Sequence, residues 1–234
     1  MHMGDVLPRD TTRLKVIQKN PSSYRTAIRK LLAKRFPHAT IALHYKNPLE
    51  LLVATILSAQ CTDKRVNMVT PSLFKKYKTA KDYANANPTM FEQEIRSTGF
   101  YRNKTKSVIG AARMIVKDFG GNVPDTMEGL LQLPGVARKT ANVVLGNAFG
   151  KHEGIVVDTH VKRVAYRLGL TDNTDPTKIE VDLMKVVPHK QWNTIANLLI
   201  HHGREICKAP KPDCENCPLN KTCPSSLTRT FKSI

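Results

Sequence analysis

Long apolar runs are missing from this 234-residue chain. No stretch approaches the roughly 20 apolar residues that a bilayer-spanning helix needs, which excludes a transmembrane segment. The most apolar stretch, Leu49 to Ala59, carries Glu50 and Thr55 and reads as a buried helix. The N-terminus lacks a signal core, and Asp5, Asp10 and weak amphipathicity argue against an organellar address. The expected location is therefore the cytoplasm or nucleoid of a bacterial or archaeal cell, with no nuclear address evident. Aromatic residues are scarce at 6%, yet a hydrophobic content of 41% is ordinary for a globular protein and excludes a disordered tail. Acidic residues are also few, 19 against 37 Lys and Arg, leaving a formal net charge of +18. Such an excess draws polyanions, with binding that weakens as salt rises. Arg25, Arg29, Lys30, Lys34 and Arg35 crowd one segment with no acidic residue, although each taken singly reads as a solvated helix face.

Cysteine is sparse too, and its distribution is informative. Of five cysteines, Cys207, Cys214, Cys217 and Cys223 share the C-terminal region in the pattern C-x6-C-x2-C-x5-C. Disulfides require an oxidising compartment that nothing in the sequence supplies, so four thiolates around one metal centre are the better reading. Zinc sites usually show two C-x2-C knuckles, and this chain has only Cys214-Glu215-Asn216-Cys217. The ferredoxin spacings differ as well. Spacing alone leaves zinc and iron–sulfur open. Cys61 stands apart and reads as a small core or cleft residue.

Strand alternation is nearly absent and helical periodicity dominates, which predicts an all-α protein with no internal repeat. Helices are expected over Tyr24–Phe36, from Asn47-Pro48 through Leu51, Leu52, Ala54 and Ile56, and over Lys64–Tyr77 and Thr79–Asn85. Others follow over Pro88–Thr98 and Arg102–Phe119, the second ended by Gly120-Gly121. Asp125 with Glu128 suggests a capping box for a helix over Thr126–Gln132. A long helix starts at Arg138, Asp158 caps the next, Asp175-Pro176 opens Thr177–Val187, and Pro188 and Trp192 introduce a last one leading to Cys207. Trp192, His201 and His202 are assigned to the core and the surroundings of the cysteines.

Between two of these helices lies Leu133-Pro134-Gly135-Val136-Ala137. Pro134 fixes one turn dihedral and Gly135 allows backbone geometry that other residues avoid. The amides of Gly135, Val136 and Ala137 are then expected to point outward at a helix N-terminus, where the dipole favours an anion. Such contact would hold a phosphate without reading a base. By itself Pro-Gly is equally a plain helix–helix turn. Lys139 follows in the first turn beside Arg138, where the dipole and a neighbouring cation both work against a further positive charge. Those are conditions that favour a nucleophilic amine. Asp158 before Thr159-His160-Val161 is a good N-cap whatever else it does.

Leu133 to Val144 (LPGVARKTANVV), followed by Val157-Asp158-Thr159-His160, the four-cysteine tail and LLVATILSAQCTD near residue 60, resembles the endonuclease III family of helix-hairpin-helix DNA glycosylases. The likeness runs from about Asn20 to Cys223. It implies two helical domains with a DNA-binding cleft between them: a six-helix domain with the hairpin at 41–151, and a discontinuous domain of 21–40 plus 152–234 around a [4Fe–4S] cluster. Residues 1–20 would form an N-terminal extension. By resemblance Cys207, Cys214, Cys217 and Cys223 hold the cluster, which braces a basic loop bearing Lys208 and Lys211 against phosphates. Leu133, Gly135, Val136, Ala137 and Arg138 would contact the DNA backbone.

The same resemblance assigns Lys139 the attack on C1′ of a damaged nucleotide, and Asp158 the stabilisation of the charge developing on its sugar. Such chemistry requires the nucleotide to leave the stack. Gln60 would fill the vacated space, and Phe100 stands where relatives often carry a leucine wedge, although it reads equally as a core residue. The loop around Lys151 to Gly154 is slightly longer than in familiar members, with no catalytic consequence expected. The expected activity is a bifunctional glycosylase and AP lyase acting, as a monomer, on oxidised pyrimidines in duplex DNA containing damaged bases or abasic sites. Two alternatives stand beside it: a monofunctional mismatch glycosylase of the adenine-specific type, whose members lack a lysine at the position of Lys139, and a non-catalytic iron–sulfur DNA-binding module.

Overall fold

A computed structural model describes residues 22–228. The expected N-terminal extension, 1–20, lies outside them. No β-strand occurs among the described residues, and none of their helices is long and apolar enough to cross a membrane. The chain divides into two compact units, one of Ile41–Glu153 and one combining the residues up to Thr40 with those from Gly154 onward.

The first unit is built around α2 (Pro48–Leu57). Asn47 caps it by accepting from the Glu50 amide at 2.9 Å, while the Glu50 carboxylate accepts from the Lys46 amide at 2.6 Å. Every residue from Leu51 to Leu57 is buried, because helices cover α2 on several sides. One is α6 (Tyr101–Asp118), which turns Val108, Ala111, Ala112 and Ile115 inward; another is α8 (Arg138–Ala148), which buries Ala141, Val143, Val144 and Leu145. The remaining helices of this unit are α3 (Asp63–Lys76), α4 (Ala80–Ala84), α5 (Pro88–Ile95, prolonged by a 3-10 turn over Arg96–Thr98) and α7 (Met127–Gln132). Stacked Tyr77 and Tyr83, 4.9 Å between centroids, meet Phe91 edge-on and fasten α3, α4 and α5 together.

Helix boundaries follow local chemistry closely, with one correction. Asp125 does not cap α7. Thr126 does, accepting from the Gly129 amide at 3.2 Å, and Asp125 instead bonds the Lys151 ammonium at 2.5 Å. A cation within reach outcompetes the weaker amide for the carboxylate. That pair ties the loop after α8 to the entry of α7.

The second unit contains α1 (Ser22–Arg35), α9 (Thr159–Arg167), α10 (Pro176–Val186) and α11 (Trp192–Glu205). Helix α9 buries Val161, Val164 and Ala165 against Ile195, Ala196 and Leu199 of α11. Gly203 makes their close approach possible: a Cβ there would lie 3.0 Å from His160 Cβ and 3.1 Å from Val164. Helix α1 lays Ile28 and Leu32 into the same core, and Tyr24 donates to the Leu168 carbonyl at 2.9 Å. Past α11 the chain continues without regular secondary structure through the four cysteines.

Candidate functional site

In the first unit the hairpin joins α7 to α8. Leu133 is 2% exposed, and Val136 is buried beside it, so both side chains anchor the turn in the core. The Val136 amide donates to the Leu133 carbonyl at 3.1 Å. The turn closes on that bond, so Val136 does not offer an outward amide as expected from its sequence. Gly135 and Ala137 remain as exposed backbone positions. Gly135 is required twice over: its φ is 77°, and a Cβ would fall 2.5 Å from Ser107 Cβ on α6. Ala137 is the N-cap of α8 and has no side chain to accept from the first-turn amides. This helix therefore begins with donors that its own sequence leaves uncapped, an arrangement suited to an anion.

Lys139 occupies the second position of α8, and its side chain is exposed. Arg138 beside it donates to the Glu153 carbonyl at 3.3 Å. Gln60 and Phe100 are both exposed, and they alone among described non-glycine residues have positive φ, 52° and 46°. Phe100 is 61% exposed, which removes the core reading. Its neighbours Tyr101, Arg102 and Asn103 line an open pocket with it.

In the second unit Asp158 is the N-cap of α9, its Oδ1 accepting from the Val161 amide at 2.7 Å. The four clustered cysteines line one pocket together with His202, Arg167 and Ile206. None of them is joined in a disulfide. Burial pushes Cys223 up to about 11 and raises Cys217, and the neighbouring thiols raise both further. Deprotonating such a set takes a strongly cationic centre, which is what thiolate-bound metal provides. No three His, Cys, Asp or Glu side chains among the described residues are grouped as around a single ion. The four cysteines that line one pocket are the residues that could hold a metal group. Buried His202 approaches Cys217 Sγ at 3.8 Å, and burial lowers its pKa to about 4.

Residues 53–189 match the HhH-GPD superfamily of base excision DNA repair proteins. The endonuclease III of Synechocystis sp. is 55% identical over 201 residues, covering 86% of this chain and 92% of that protein. The endonuclease III of Bacillus subtilis is 46% identical over 200 residues, 85% and 91% respectively. The chain belongs to the endonuclease III family. Among solved structures it is similar to a non-covalent endonuclease III–DNA complex, with a TM-score of 0.83, 43% identity, and coverage of 88% of this chain and 96% of that one. A trapped endonuclease III–DNA covalent intermediate is similar at a TM-score of 0.82 and 43% identity, covering 88% and 97%.

The chain has further residues of interest that its sequence did not single out. Ser107 and Gly110 form the small-residue face of α6 on which the hairpin rests, Gly110 meeting Pro134. Their i, i+3 spacing was a usable signal. Arg167 donates to Cys207 Sγ at 3.4 Å and to the carbonyls of Lys208 and Ala209 at 2.8 and 2.9 Å. Arg163 donates to the Cys207 and Gly203 carbonyls at 3.1 and 2.9 Å. These two arginines of α9 hold the loop backbone, while Lys208 and Lys211 remain exposed. Lys104 is only 4% exposed, and burial lowers its pKa, an effect that Cys61 partly offsets.

Proposed function

We propose that this base excision repair DNA glycosylase and AP lyase removes oxidised pyrimidines from duplex DNA, with Lys139 as its nucleophile. The observation that carries this reading is an exposed amine in the first turn of a helix whose leading amides lack a side-chain acceptor. The hairpin amides of Gly135 and Ala137 would bind a backbone phosphate, bringing the deoxyribose to the amine. Nitrogen attacks C1′ as the C1′–N bond breaks, and the damaged base leaves with a proton. Ring opening gives an imine to Lys139, and loss of a C2′ hydrogen then expels the 3′-phosphate by β-elimination. Asp158 would stabilise positive charge on the sugar and accept the proton that frees the amine. Gln60 and Phe100 would enter the duplex while the damaged nucleotide is out of the stack.

Borohydride reduction of the imine tests this chemistry. The wild-type protein is expected to be trapped on an abasic duplex, and Lys139→Gln to give no adduct while still binding that duplex. An undiminished adduct in Lys139→Gln would assign the nucleophile elsewhere. A wild-type protein that excises a base without being trapped would instead be a monofunctional glycosylase.

The donor set at Cys207, Cys214, Cys217 and Cys223 supports a [4Fe–4S] cluster. Its contribution when bound is structural, fixing the loop that carries Lys208 and Lys211. Iron and acid-labile sulfide near four of each per chain are expected, and zinc in their place would count against the cluster. The protein would act as a monomer on the DNA of the cytoplasm or nucleoid.

A further inference from the structure

Helix α6 begins with Tyr101, Arg102 and Asn103 exposed or partly exposed, and then turns a lysine into the core. Lys104 is 96% hidden from solvent on the basis of its 4% exposure, which is costly for an ammonium unless a specific partner compensates. Its partner is a backbone carbonyl. The Lys104 ammonium donates to Thr98 O at 2.8 Å, and its amide donates to Phe100 O at 3.0 Å. One residue thus grips the chain on both sides of Gly99. The turn it holds is unusual: Gly99 has φ 72° and ψ 161°, Phe100 has φ 46° and ψ 29°, and Thr98 beneath them is 2% exposed. No side chain caps α6 at Phe100. The Gly99 amide also donates to the Arg96 carbonyl at 3.2 Å and the Thr98 hydroxyl to the Ile95 carbonyl at 2.8 Å, and the turn so held keeps an exposed aromatic residue in a conformation that costs about 1–2 kcal/mol outside glycine.

The other strained non-glycine position lies in the turn Gln60-Cys61. The Cys61 amide closes it on the Ser58 carbonyl at 3.0 Å, leaving Gln60 exposed at φ 52°. Helix α3, which starts two residues after Cys61, packs on the 3-10 turn that ends at Thr98. One of the two strained non-glycine positions of the described residues therefore lies in a turn gripped by a buried cation, and the helix that follows the other packs on the 3-10 turn leading into it.

We propose that Lys104 is a positioning residue that holds the Thr98–Phe100 turn beside the Gln60–Cys61 turn, so that Phe100 and Gln60 meet the duplex as a pre-formed pair. The proposal rests on the reading of those two side chains as duplex-entering groups. Pre-formation matters because a wedge that must be ordered during base extrusion spends binding energy on its own backbone. Lys104 touches neither substrate nor reacting atoms in this scheme. Its loss should therefore impair opening of paired DNA and spare chemistry on a sugar that needs no opening.

Three readouts test this in Lys104→Met. Binding to a duplex with a tetrahydrofuran abasic analogue opposite 2-aminopurine should persist, but with most of the fluorescence rise on binding lost. Excision from a lesion-containing duplex should fall about tenfold to a hundredfold. Borohydride trapping on a single-stranded abasic oligonucleotide should stay within about twofold. An equal loss on single and double strands, or no loss on either, overturns the proposal. Should Lys104→Met fail to fold, Gly99→Ala probes the same turn: its added methyl meets nothing within 4 Å, so only the φ of 72° is disturbed. The same selective loss on duplex is expected there, and its absence also overturns the proposal. A wild-type protein that is never trapped, yet whose fluorescence response depends on Lys104, would refute the lyase reading and leave the positioning role standing.

Discussion

At the scale of single residues the hairpin stands or falls on Gly135. Two separate costs meet there. A methyl group would strike Ser107 at 2.5 Å, and the φ of 77° disfavours any side chain. Overpacking and left-handed strain together predict that Gly135→Ala destabilises the protein by about 2–4 kcal/mol. A double-mutant cycle separates them. In a Ser107→Gly background the clash is gone, and Gly135→Ala should cost only the backbone component, about 1–2 kcal/mol. Denaturant titration of the four proteins measures both quantities. Equal costs in the two backgrounds would mean that the loop moves away from α6 at no expense. The close approach would then not be what fixes the turn.

Whole elements were the most legible feature of the sequence, because their ends are written in local chemistry. Asn47-Pro48, Asn87-Pro88 and Asp175-Pro176 each pair a capping side chain with a proline at the first helical position, and each opens a helix as expected. Helix α4, five residues long, depends most on its cap. Thr79 accepts from the Asp82 amide at 3.2 Å, and the Asp82 carboxylate accepts from the Thr79 amide at 2.8 Å and the Lys78 amide at 2.9 Å. Thr79→Ala is expected to cost about 1 kcal/mol in denaturant unfolding. The pH dependence has a definite sign. Hydrogen bonds from the backbone and side chain of Thr79 lower the Asp82 pKa below its ordinary 3.8. Its contribution is thus complete above 3.8 and lost as pH falls through the lower folded value, so Asp82→Asn should flatten that part of the acid limb. The misreadings arose where a partner is distant in sequence or a bond depends on the path of a turn. Asp125 looked like a cap because Glu128 was near, while Lys151, 26 residues away, claimed it. Val136 looked free because its bond closes through three-dimensional turn geometry. Lys104 and the left-handed Gln60 and Phe100 leave no periodic trace, since one buried cation and two strained dihedrals break local rules instead of following them.

For the molecule as a whole the dominant quantity is the net charge of +18, and the question is whether it acts as a diffuse field or through particular contacts. Lys208 and Lys211 lie exposed on a loop whose backbone Arg167 grips at two carbonyls, so their side chains are presented from a fixed base. Lys30 and Lys34, exposed on α1, provide the control: each double alanine variant lowers the charge equally, from +18 by two to +16. Contact with a phosphate releases counterions, steepening the plot of log affinity against log salt by about 0.9 per phosphate. The Lys208→Ala, Lys211→Ala variant is therefore expected to reduce that slope by about 2, uniformly across DNA sequences. The α1 variant should change that slope by well under one, because charges away from any phosphate are screened within about a Debye length and release no site-bound counterion. Equal slopes for the two variants would mean that the cysteine loop adds charge and no contact. Its bracing by two arginines would then serve the integrity of the thiol centre alone.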